Sequence, residues 1–141
     1  MDRLIGGDSS NHFDFSYGYS LIGSLLGGSG FNDLHGPALS NTWNITAQDQ
    51  GTIPALSDMP FANIGFLLGG VLDDTFVFAD GVGLSSGIDG GGDPMSNGLD
   101  YSAFTQTARL YPTTPCSGTA SNLGRDYINI CNFIGNVEIG D

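Results

Sequence analysis

Asp73 and Asp74 stand side by side in the stretch LLGGVLDDTFVF, and Asn32 and Asp33 sit in GGSGFNDLH, in each case shortly after a glycine pair. Carboxylate and amide oxygens beside tight turns are what a hard divalent cation such as calcium requires, so Asp73, Asp74, Asn32 and Asp33 are the candidate metal ligands. The two aspartates suit acid-base catalysis less well. Neighbours in a strand point to opposite faces and cannot flank one scissile bond. The competing role is turn formation, in which Asp and Asn side chains bond to nearby backbone. Arg109 and Arg125 could suggest the arginine of a polysaccharide lyase, but no Lys and no clear calcium triad accompany them. No catalytic residue is assigned, and the chain is not expected to be an enzyme.

The elements that must position these residues are strands and turns. Of 141 residues 23 are Gly, and acids outnumber bases fifteen to three for a formal net charge of -12. Glu138 is the one Glu and Lys is absent, so helix formers are scarce while turn formers abound. Three scattered arginines, Arg3, Arg109 and Arg125, make no basic track for a phosphate backbone, which argues against nucleic acid and anionic membrane surfaces. The longest apolar run, IGFLLGGV, is far shorter than the roughly 20 residues of a membrane helix. The opening MDRLIGGDSS shows no secretion signal, so the chain is either cytosolic or a processed piece of a longer one. Cys116 and Cys131 could bridge a loop of 15 residues, worth about 3 kcal/mol by chain entropy, or serve as two small apolar side chains.

Comparison of the chain with itself orders these features. Residues 4 to 28 match residues 67 to 91 without a gap, bringing Gly6 and Gly7 onto Gly69 and Gly70, Phe13 and Phe15 onto Phe76 and Phe78, Gly18 onto Gly81, Leu21 onto Leu84, and Gly27 and Gly28 onto Gly90 and Gly91. Further on, NDLHG answers NGLDY and FANIGFLLGG answers YINICNFIGN. The organisation expected is a first repeat at 1–66, a second at 67–133 and the start of a third at 134–141, in one continuous domain.

Glycine pairs at 6, 27, 69 and 90 suggest a finer unit of 21 residues, with one pair missing near Gln48 and Asp49. The fold class predicted is therefore all-β: a β-solenoid, like a parallel β-helix or β-roll, with coils of about 21 residues, three per 63-residue repeat. Phe13, Phe15, Phe76 and Phe78 would form a ladder inside it, Phe13 and Phe76 three storeys apart, and the glycines would turn the corners with positive φ. The alternative is an antiparallel sandwich with glycine-rich turns. His12 and His35 fall where the second copy has Thr75 and Asp100, which marks them as solvated strand residues, and Trp43 opens a half-buried strand in TWNIT.

TWNITAQDQGTI, FANIGFLLGGVLDDTFVFADG, GIDGGG and GLDYSAF together resemble repeats of very large bacterial surface and secreted proteins, filamentous-haemagglutinin-like adhesins among them, across most of residues 41 to 136. The resemblance implies an extracellular or cell-surface segment with a structural or adhesive role. Gly65 and Cys131 depart from it, standing where the family pattern has Glu. A more distant resemblance, to the calcium-binding nonapeptides of RTX proteins, is kept by Gly69, Gly70, Asp74 and Phe76 but broken by Leu72 and Asn32.

Apolar residues near the two ends, Leu4 and Ile5, Ile134 and Ile139, suggest association head to tail into a filament, an open heterologous contact. Roughly 6.7 coils at about 4.8 Å would advance the subunit about 32 Å. The alternative is a monomeric segment of a giant adhesin that binds calcium or a surface glycan.

Overall fold

A computed structural model describes residues 2–16 and 23–140. These residues form an all-β structure of sixteen short strands with two one-turn 3-10 helices, Pro54–Leu56 and Pro94–Ser96. The strands are β1 (Asp2–Ile5), β2 (Asn11–Asp14), β3 (Gly23–Leu26), β4 (Asn32–His35), β5 (Asn41–Ala47), β6 (Gln50–Ile53), β7 (Met59–Ala62), β8 (Phe66–Leu68), β9 (Asp74–Phe78), β10 (Ile88–Asp89), β11 (Gly98–Tyr101), β12 (Ala108–Thr114), β13 (Ser117–Ala120), β14 (Asp126–Ile128), β15 (Asn132–Gly135) and β16 (Val137–Ile139). No helix among the described residues is long and apolar enough to cross a membrane.

Two mixed eight-stranded sheets result, one in the order β1-β3-β7-β6-β5-β9-β11-β15, the other β2-β4-β8-β10-β14-β13-β12-β16. Along β1 to β5 the chain changes sheet at every strand, and each strand pairs in parallel with a later one in its own sheet. The chain then stays in one sheet for an antiparallel meander, β5-β6-β7, before alternating again and ending in a second meander, β12-β13-β14, in the other sheet.

Adding seven to each strand number carries the first sheet's order from β1 to β9 onto β8-β10-β14-β13-β12-β16 of the second. The unit β1–β7 thus recurs as β8–β14 with the two sheets exchanged, and β15 and β16 repeat β8 and β9. Paired residues obey the same rule. Leu4 faces Leu25 as Leu67 faces Ile88, Phe13 faces Leu34 as Phe76 faces Leu99, and Trp43 lies beside Phe76 as Leu110 lies beside Ile139.

This register changes the expected stacking. Phe13 heads the column Phe13, Leu34, Leu67, Ile88, Tyr127 in the second sheet, whereas Phe76 lies in the column Trp43, Phe76, Leu99, Phe133 of the first. The two phenylalanines occupy corresponding places in opposite sheets rather than one ladder. The physical reason is the meander. An offset of 21 residues separates partners such as Leu4 and Leu25, but Trp43 and Phe76 are 33 apart because β6 and β7 intervene. Gln48 and Asp49, where the 21-residue spacing lacks its glycine pair, form the turn between β5 and β6, with Asp49 at φ 57°.

Strand alternation sends one set of side chains inward. In β5 Asn41, Trp43 and Ile45 are buried while Thr42 and Thr46 are exposed, and in β9 Asp74, Phe76 and Phe78 are buried. Inward residues of both sheets join one apolar core. Phe78 stacks on Tyr101 with ring centroids 4.9 Å apart, and Trp43 on Phe76 at 5.4 Å. Trp43 is fully buried, on the inward face of a strand whose other face is open.

The glycine pairs turn corners, although positive φ is not their general reason. Of the eight glycines, Gly28 and Gly91 have positive φ, at 80° and 69°. Gly6, Gly27, Gly69 and Gly90 are required because the next strand's backbone comes too close: a Cβ on Gly69 would collide with the carbonyl oxygen of Gly90, and one on Gly90 with that of Asn129. Gly18 and Leu21 lie outside the described residues.

Candidate functional site

The acidic and amide residues singled out by sequence are mostly corner bolts. After each corner, the first inward residue of the next strand folds its side chain back onto the turn. Asn11 accepts from the Gly7 N–H and donates to the Gly7 carbonyl, Asn32 donates to the Gly28 carbonyl at 3.0 Å, and Asn97 to the carbonyls of Gly90 and Gly91. Successive bolts touch along the sheet: the Asn11 amide donates to Asn32 Oδ1 at 2.8 Å, and the Asn41 amide to Asp74 Oδ1 at 2.9 Å.

Asp74 is the one acid in this buried series. Its Oδ1 accepts from the Asn41 amide and from the Trp43 indole N–H at 2.9 Å, and its Oδ2 accepts from the Gly70 N–H at 2.9 Å. Burial pushes its pKa above the ordinary carboxylate value, an effect the donors from Trp43, Asn41 and Gly70 oppose and nearby Asp73 reinforces. Asp73 itself is exposed. Asn32 and Asp33 belong to the second sheet and Asp74 to the first, so the four expected metal ligands do not converge. Among the described residues no three side chains of metal-binding type come together.

The histidines lie on the outward face of β2 and β4, where each meets a carboxylate. His12 Nδ1 contacts Asp33 Oδ1, and His35 Nδ1 lies 3.5 Å from Asp14 Oδ1. The Ser16 hydrogen bonds, assisted by the two histidines, hold the Asp14 carboxyl below its usual range. Arg109 faces Glu138 at 3.4 Å across β12 and β16, an exposed pair of small energetic weight.

Cys116 and Cys131 form a disulfide. It ties the turn of the second meander to the segment entering β15. The first repeat has the same backbone contact: the Ile64 N–H donates to the Asp49 carbonyl at 3.1 Å, as the Ile130 N–H donates to that of Cys116 at 3.0 Å. Asp49 and Gly65 therefore hold the positions of the two cysteines. In place of a covalent tie, Asp49 Oδ1 accepts from the Ser85 N–H at 2.6 Å. An open groove remains here, lined by Phe31, Asp49, Asn63, Gly65 and Ser85 together with the Gly28–Gly30 turn. Sequence reasoning did not assemble this groove. Its trace was the exchange of Gly65 for Cys131 between the repeats.

The apolar residues expected at an interface lie on outer strands. Leu4 and Ile5 on β1 are 43% and 56% exposed, and Ile134 on β15 and Ile139 on β16 are 43% and 55% exposed. No family model matches the chain, and no curated protein or solved structure is significantly similar to it.

Proposed function

We propose that the chain is an extracellular structural and adhesive segment of β-solenoid type, whose coils continue end to end through the outer strands into a filament. The observation that carries this reading is the contrast between equivalent strands. Leu67 on interior strand β8 is fully buried, whereas its counterpart Leu4 on outer strand β1 is 43% exposed, and Phe76 on β9 is buried where its counterpart Ile139 on β16 is 55% exposed. An outer strand with free backbone groups and apolar side chains is a template for another strand. In a longer polypeptide further coils would supply it; for this polypeptide alone, a second copy does.

Eight strands per sheet at about 4.8 Å give a rise of about 38 Å for each copy. The net charge of -12 keeps such rods apart sideways while leaving the ends apolar. The disulfide suits an oxidising compartment outside the cell.

Negative-stain microscopy over a concentration series tests the reading. Fibres of uniform width that shorten to single rods in Ile5→Lys and Ile139→Lys are expected, while dispersed rods from the native chain at every concentration would sink it. A second reading, a monomeric binding segment of a larger adhesin, is favoured by the open groove beside Asp49.

A further inference from the structure

We propose that the groove beside Asp49 binds an uncharged saccharide. The argument begins from the difference between two corners of common design. In the second repeat the counterparts of Asp49, Gly65 and Asn63 are engaged: Cys116 is bonded to Cys131, and the Asn129 amide donates to Asp89 Oδ1 at 2.8 Å. In the first repeat Asp49 and Gly65 replace the cysteines. Leu26 replaces Asp89, which leaves the amide of exposed Asn63 with no side-chain hydrogen bond among the described residues. With the same backbone contact in both, the second corner is tied by its side chains, whereas the first leaves a polar cleft open.

The chemistry of the lining selects the ligand. Asp49 lines the groove and spends Oδ1 on the Ser85 N–H, while its Oδ2 has no hydrogen bond among the described residues and is available as an acceptor. The Asn63 amide supplies a donor and an acceptor and the Ser85 hydroxyl supplies both, the mixture that paired sugar hydroxyls satisfy. Phe31 forms the apolar wall. It is 42% exposed, with its ring tilted beside Phe66 at 6.3 Å between centroids, a surface on which the C–H face of a pyranose can lie. An anion is disfavoured by Asp49 and by the charge of the whole chain. A hard cation needs about six or more oxygens, for which a single carboxylate is a poor start.

This inference deepens the adhesive part of the proposed function but does not depend on filament growth, since the groove is at a corner and the interface is at the outer strands. The test is amide chemical-shift mapping of the whole isotopically labelled chain, titrated separately with laminarihexaose, cellohexaose, maltohexaose and hexa-N-acetylchitohexaose, and with calcium chloride. The expected result is saturable shifts at residues 28–32, 49, 63–65 and 85 with at least one oligosaccharide, weakened about tenfold or more by Phe31→Ala and by Asn63→Ala without loss of the folded spectrum. No shift at these amides with any of the four sugars overturns the proposal, as does binding that survives both substitutions, or calcium alone producing the same shifts. Fibre formation measured on the same samples keeps the two readings separable: sugar binding can fail while fibres form, and the reverse.

Discussion

The indole N–H of Trp43 donates to Asp74 Oδ1, 2.9 Å away, and so couples the meander strand β5 to the corner that opens β9. Both residues are fully buried, and the ring also stacks on Phe76. Trp43→Phe keeps an aromatic ring in the stack but removes the donor to a group that has no water to replace it. The expected cost is about 1–3 kcal/mol, read from urea unfolding with an unchanged m-value. A variant as stable as the native chain would show that the contact carries no net stability.

Asp74 also sets a pH dependence whose sign is opposite to that of an ordinary paired carboxylate. Its folded pKa is raised above the unfolded value near 3.8, chiefly by burial. The native state therefore holds this proton more tightly than the unfolded state, so the contribution is complete below the unfolded pKa and is lost as pH rises through the folded one. Asp14, lowered chiefly by the Ser16 hydrogen bonds, acts in the other direction, its contribution being lost as pH falls through its folded pKa. The informative comparison is between the native chain and Asp74→Asn, which both keep Asp14. Their stability difference, followed by melting from acid to neutral pH, should change in favour of Asn with rising pH, and a pH-independent difference would contradict this assignment.

Two glycines of the same motif should respond very differently to a methyl group. Gly69→Ala drives a Cβ into the Gly90 carbonyl and to within 2.7 Å of the Asp74 carboxylate, whereas a Cβ on Gly7 meets nothing within 4 Å. Overpacking at the first should cost about 1–3 kcal/mol or more, and the second should stay within about 0.5 kcal/mol. Thermal melts of the two variants check this, and equal melting temperatures would mean that the corners are looser than the backbone contacts imply.

The β-rich composition, the inward phenylalanines and the match between residues 4–28 and 67–91 were all readable because each is local, a matter of residue type and strand period. What the match could not reveal is which sheet each copy enters. That depends on the number of sheet changes per unit, five rather than the six of three regular coils, because the meander through β6 and β7 uses chain without changing sheet and carries no glycine signature. Asp74 resembled a ligand because sequence shows a carboxylate beside a turn but not the three N–H groups that already hold it. The groove was hidden for a related reason: Phe31, Asp49, Asn63 and Ser85 come from four separate stretches and meet only once the meander turn is placed.

The equivalence of the two corners can be tested by moving the covalent tie from one to the other. Asp49 and Gly65 hold the places of Cys116 and Cys131, with matching backbone bonds from Ile64 and Ile130. In Asp49→Cys/Gly65→Cys a Cβ at position 65 would meet the Ser85 Oγ at 2.5 Å, the tip of a flexible and exposed side chain that can turn aside. A second disulfide should therefore form on air oxidation, leaving no titratable thiol and adding up to about 3 kcal/mol by closing a loop of about 16 residues. Cys116→Ser/Cys131→Ser should lose a similar amount. If the introduced thiols stay free in the folded chain, the two meander turns are not superposable, and the comparison on which the groove was recognised fails with them.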